Sequence, residues 1–158
     1  MGETLKPTAL NVTIESIQTR VATNRLEGKY TLIFVDEVYL FFKYYYYAQF
    51  LYKAWKRFRK YGAALTAATQ NVEECLRSET ARLMFANSEF LVLLNQAATD
   101  RAELAKLLNI SENQMGYVTN VEAGHGLLRV AGSIVPFANE FPRTGELYQL
   151  WNTTPTDK

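Results

Sequence analysis

The sequence predicts an α/β domain, in which short apolar strands alternate with helices around a mostly parallel sheet. Three observations predict it. Tyr30-Thr31-Leu32-Ile33-Phe34-Val35 is a continuous apolar run, which suits a central parallel strand covered on both faces. A second short apolar run, Ala63 to Thr69, follows after a long helical stretch. Helix-start signatures at Asn71 with Glu74 and at Ser111 with Gln114 then divide the remainder into short elements.

The first helix is expected after Asn11 as N-cap, because Val12, Ile14, Ile17 and Val21 fall near helical spacing. It should stop around Asn24 to Gly28, with Gly28 as the C-terminal stop. The strand at Tyr30 to Val35 comes next. Tyr39 to Tyr61 reads as one long helix, with a break open to it in the tyrosines, closed by Gly62. After the strand ending in Thr69, a helix runs from Asn71 through Leu76, and another from Glu79 to Ala86. Phe90 to Leu94 is a third apolar strand. Asp100 to Leu108 is helical with Thr99 as cap, and Ser111 opens a helix to about Asn120. Leu127 to Val130 and Ile134 to Phe137, split by Gly132-Ser133, predict a β-hairpin. Leu147 to Trp151 reads as a last edge strand, and residues 155–158 as a disordered tail.

The 158 residues suffice for one domain with a real core, since a chain of this size buries about 70% of its unfolded surface. A formal net charge of +1 supplies no global field to recruit nucleic acid or membrane. Cys75 is the single cysteine, which excludes an intrachain disulfide and reads as a small buried hydrophobe in a reducing compartment. Met1 to Thr8 has neither the basic region nor the apolar core of a signal peptide. Asp36 and Glu37 interrupt the longest apolar region, so no membrane span is expected and any membrane contact is peripheral.

Core packing gives no reason for two adjacent acids at the end of a buried strand. Asp36-Glu37 has the form of a Walker B motif, in which Asp36 holds the Mg²⁺ shell and Glu37 orients or polarises the attacking water. The plainer alternative is a strand entering a helix N-terminus, where acids are favoured by the dipole. The matching phosphate-binding loop is absent. Gly28-Lys29 is the only Gly-Lys pair, with Thr23 where the first Gly should stand and Tyr30 where the Ser or Thr should stand. The chain carries half of an ATP site.

Several ordered motifs bring in a family. Asp36-Glu37-Val38-Tyr39, Trp55-Lys56-Arg57-Phe58-Arg59-Lys60-Tyr61-Gly62 and Ala68-Thr69-Gln70-Asn71 closely resemble the ATPase of conjugative type IV secretion systems, in its transposon and integrative-element branch. Ala86-Asn87-Ser88-Glu89-Phe90, Asn95-Gln96, Ala123-Gly124-His125-Gly126-Leu127-Leu128 and Val135-Pro136-Phe137 extend the resemblance over most of the chain. The tyrosine run Tyr44 to Tyr47 departs from it. The resemblance implies the later part of a RecA-like P-loop NTPase domain, residues 1–158 forming one partial domain that begins after the phosphate-binding loop.

It also implies roles. Gln70, at the end of the second strand, would sense the γ-phosphate or the attacking water, although Thr-Gln-Asn alone is merely a helix cap. Arg57 or Arg59 would reach a neighbouring subunit's nucleotide. Without the resemblance, Lys53, Lys56, Arg57 and Lys60 form one helical stripe, which reads as a solvated face, with nucleic-acid contact only weakly signalled. The implied cofactors are ATP and Mg²⁺, needed by the full-length protein and not expected on this chain alone. The implied partners are further copies of the motor (dimer or hexamer), secretion-channel and coupling proteins, and DNA in transient contact. The implied location is the cytoplasm, peripheral to the cytoplasmic membrane. The alternative function is a non-enzymatic interaction subunit that kept the fold and lost ATP binding.

Of the remaining features, His125 between two glycines reads as a structural turn, since one His and one Cys cannot assemble a zinc site. Tyr44 to Tyr47, preceded by Phe41-Phe42, would cover every side of a helix. They suit either a subunit or partner contact, or an aromatic-rich local core whose hydroxyls reach water.

Overall fold

The computed structural model describes residues 5–139 and 142–151, so the expected tail at 155–158 lies outside the described residues. The chain is a mixed α/β structure that divides into two compact units, 1–84 and 85–158.

The first unit opens with helix α1 (Leu5–Leu26). It starts earlier than Asn11, with Pro7 in its first turn, where a missing N–H costs nothing. Its end matches the expectation: Gly28 takes φ 68°, and the Lys29 N–H donates to the Asn24 carbonyl at 2.8 Å. Strand β1 (Thr31–Val35) pairs in parallel with β2 (Ala63–Ala67), Thr31 opposite Ala63 and Val35 opposite Ala67. The stretch between them is not one helix. It forms α2 (Tyr39–Phe42), α3 (Tyr45–Arg57) and a 3₁₀ turn over Phe58–Tyr61, closed by Gly62 at φ 69°. The break falls at Tyr44, whose backbone is extended. Tyr47, Leu51 and Ala54 then share one buried face of α3, at i, i+4 and i+7. Helices α4 (Val72–Leu76) and α5 (Glu79–Ala86) follow, the first capped by Asn71, whose Oδ1 accepts the Glu74 N–H at 3.2 Å.

One face of the β1–β2 pair is bare among the described residues. Leu32 is 85% and Phe34 67% exposed, and Tyr30 is exposed beside them, whereas Ile33 and Val35 are half-buried. The expectation of a strand covered on both faces is therefore not met within this unit.

In the second unit, β3 (Phe90–Leu93), β4 (His125–Val130) and β5 (Ser133–Ala138) form an antiparallel sheet in the order β3-β4-β5. The third apolar strand thus joins the C-terminal hairpin and adds nothing to the parallel pair. Among the described residues, the only parallel pairing is β1 with β2. An apolar run cannot announce its partner's direction, because pairing depends on where the chain returns. Gly126 lets β4 approach β3 closely: a Cβ there would collide with the Leu93 carbonyl oxygen and stand 2.9 Å from the Phe137 ring.

Helix α6 (Ala98–Leu108) begins two residues before Asp100, and α7 (Glu112–Met115) carries the full capping box expected at Ser111 and Gln114. Leu104, Leu108, Ile110, Met115, Val118 and Leu127 build this unit's core. The last segment corrects the expected edge strand: Glu146–Trp151 is helix α8. Leu147, Leu150 and Trp151 stand at i, i+3 and i+4, a helical period, and Glu146 suits a first turn.

Candidate functional site

Parallel pairing places the carboxyl ends of β1 and β2 side by side, and this edge gathers the acids and Gln70. The ladder continues just past the strands: the Ala68 N–H donates to the Val35 carbonyl at 2.9 Å, and the Val38 N–H to the Ala68 carbonyl at 3.0 Å. Asp36 and Glu37 therefore lie in the turn directly opposite Ala68. Gln70 follows two residues later and is exposed.

The turn is built around the acids. Asp36 is exposed, and its Oδ1 accepts the Glu37 N–H at 2.9 Å. Glu37 adopts φ 48°, a left-handed conformation that costs a non-glycine residue about 1–2 kcal/mol. Its Oε2 is buried and has no hydrogen-bond partner among the described residues. A strained backbone holding an unsatisfied acceptor is what a site awaiting a donor or a cation presents.

Beneath this edge lies Cys75 of α4, fully buried. Burial pushes its thiol pKa up to about 11, the nearby Glu74 and Glu37 carboxylates add to the rise, and a hydrogen bond with Thr69 opposes it. Thr69 also accepts the Asn71 N–H on Oγ1 at 3.1 Å, so one hydroxyl ties the strand end to the helix start. Sequence reading did not single out Thr69. The only signal was its place before Gln70, and its partner Cys75 is brought in by the turn into α4. Cys75 itself is buried, as expected.

Arg57 ends α3 and Arg59 lies in the 3₁₀ turn, both exposed and both ahead of the amino end of β2. A five-residue strand spans about 17 Å, so the structure does not bring either arginine to the Asp36–Glu37 edge. Lys53, Lys56 and Lys60 are also exposed, with Lys56 over the Tyr52 ring at 4.2 Å. His125 opens β4 after Gly124 at φ 90°, the tight turn its glycines predict. Among the described residues, no group of three or more His, Cys, Asp or Glu could hold a metal ion by itself. No described helix is long and apolar enough to cross a membrane.

No family model matches the chain, and no curated protein does. Solved structures do match. The chain is similar to VirB4 of Thermoanaerobacter pseudethanolicus. The identity is 28% and the TM-score 0.65, over 72% of this chain and 31% of that VirB4. The resemblance drawn from the sequence, to type IV secretion ATPases, thus has a counterpart among solved structures. The chain spans about a third of the length of the VirB4 it matches.

Proposed function

We propose that this chain is the later part of a RecA-like motor domain, carrying the Walker B and sensor residues of an ATPase that energises DNA and protein transfer through a conjugative type IV secretion system. The observation that carries the reading is the common edge of β1 and β2, with Glu37 strained there and its Oε2 left without a partner. Likeness to VirB4 supports it. The bare face of the β1–β2 pair supports the partial-domain reading, because parallel strands are ordinarily covered on both sides.

The donor set at this edge suits Mg²⁺, a hard cation that keeps several waters and takes one or two carboxylates plus substrate phosphates. Asp36 has its Oδ1 engaged by the Glu37 N–H, which leaves Oδ2 to hold the ion through water. Bound with ATP, Mg²⁺ would neutralise charge on the phosphates. Glu37 would accept a hydrogen bond from the attacking water and orient it, and Gln70 would hydrogen-bond the γ-phosphate or that water. Arg57 or Arg59, remote from its own chain's edge, would act on a neighbouring subunit's nucleotide. The motor would then work as a dimer or hexamer in the cytoplasm, held at the membrane through secretion-channel and coupling proteins, with DNA in transient contact along the basic stripe.

One observation favours a second reading, a non-enzymatic interaction subunit: the 158 residues contain no Gly-x-x-x-x-Gly-Lys-[Ser/Thr]. Both readings expect this chain alone to turn over no ATP, and robust Mg²⁺-dependent turnover would refute both. The coding sequence ahead of Met1 separates them, since the motor reading requires an in-frame phosphate-binding loop there. In that longer protein, Glu37→Gln should abolish turnover while leaving nucleotide bound. Undiminished hydrolysis would remove Glu37 from its role.

A further inference from the structure

The structure assigns to the tyrosine run a recognition pocket for an arginine side chain presented by a partner protein. A shallow, open depression of about 390 Å³ is lined by Asn11 and Glu15 of α1 and by Tyr44, Tyr46 and Tyr47 at the start of α3. Its rings are ordered. Tyr44 and Tyr46 each stand edge-on to Tyr47, with centroids 5.6 Å apart and interplanar angles of 77° and 78°. Tyr47 is buried in the core and fixes this arrangement, while Tyr44 and Tyr46 stay exposed.

The depression's chemistry calls for a cation. Ring faces carry negative potential, Glu15 is the one charged residue in the lining, and no lysine or arginine lines it. Elsewhere in this unit, tyrosines carry cations of their own chain: Arg25 lies over Tyr61 at 4.7 Å, Lys43 over Tyr39 at 5.3 Å and Lys56 over Tyr52 at 4.2 Å. Among the described residues, no such cation lies over Tyr44 or Tyr46. A guanidinium fits best, because it stacks flat on a ring while its in-plane N–H fork reaches both a carboxylate and the Asn11 amide oxygen. Tyr45, 81% exposed between the two rim tyrosines in sequence, adds the aromatic surface typical of protein contacts.

The test is a titration of the chain with N-acetyl-Gly-Arg-Gly-amide, followed by the ring resonances of Tyr44 and Tyr46. The expected result is saturable shifts with a dissociation constant on the order of millimolar. The same peptide with neutral citrulline in place of arginine should bind at least about fivefold more weakly. Glu15→Gln and Tyr46→Leu, both at exposed positions, should each weaken binding roughly 2- to 5-fold with the circular dichroism spectrum unchanged. Absence of saturation, equal binding of the citrulline peptide, or indifference to Glu15→Gln would overturn the assignment. Tighter binding of tetramethylammonium than of the arginine peptide would overturn it too, in favour of a free small cation.

Discussion

Glu37→Gly should stabilise the isolated chain while removing the side chain proposed to orient water. Glu37 sits at φ 48°, where an L-residue costs about 1–2 kcal/mol and glycine costs almost nothing. Glycine also gives the unfolded chain more freedom, which offsets about 0.4–1 kcal/mol of that relief. The backbone alone therefore yields roughly 0.5–1 kcal/mol. Deleting the carboxylate adds a second gain. A buried acceptor without a partner costs about 1–3 kcal/mol, and Glu37 is half-buried, so the lower end applies. Together Glu37→Gly should gain about 1–2 kcal/mol, where most substitutions lose about 1. Glu37→Ala separates the two contributions, since it removes the carboxylate and keeps the strained φ. It should fall about 0.5–1 kcal/mol below Glu37→Gly. Urea unfolding of the three proteins, followed by far-ultraviolet circular dichroism and by tryptophan fluorescence, resolves differences of this size. If the wild type is the most stable of the three, or if Ala matches Gly, the turn is unstrained and Glu37 is not held there for a ligand.

Four further outcomes are expected. Ala131 and Gly132 form the two-residue turn of the β4–β5 hairpin at φ 48° and 84°, so Ala131→Asn should raise stability by about 0.5–1 kcal/mol in urea unfolding. Gly126→Ala, by forcing a Cβ against the Leu93 carbonyl, should lower stability by about 1–3 kcal/mol, seen as an earlier unfolding midpoint. The raised Cys75 thiol makes an alkaline signature. Its folded pKa of about 11 exceeds the ordinary 9.0, so its contribution is fully present below pH 9 and is lost as pH rises toward 11. Cys75→Ser should flatten that alkaline loss, and native Cys75 should resist alkylation at neutral pH. Finally, replacing Leu32 and Phe34 by serine should reduce self-association of the isolated chain in sedimentation, because both are large apolar side chains exposed on one face of the sheet.

What could be read from the residues is what local physics decides. Asn71 and Ser111 cap their helices as their side chains dictate, Gly28 and Gly62 end their elements at positive φ, and the β4–β5 hairpin lies within two residues of its expected place. Asp36-Glu37 stood out because two acids after an apolar strand have no packing purpose. The edge strand expected at Leu147 failed because Leu147, Leu150 and Trp151 follow the helical period, which a segment this short shows too briefly to stand out from a plain apolar run. Other features needed the fold. The break at Tyr44 depends on which tyrosine the core accepts, and only Tyr47 goes in. The partner of β3 depends on a strand more than thirty residues later in the chain. Parallel register set Ala68, two residues before Gln70, opposite the acids' turn and kept Arg57 and Arg59 at the far end of the same sheet, a separation that motif spacing cannot express. The positive φ of Glu37 and its stranded oxygen likewise come from how two strand ends meet, because backbone strain is imposed by surroundings and leaves no mark in the residue type.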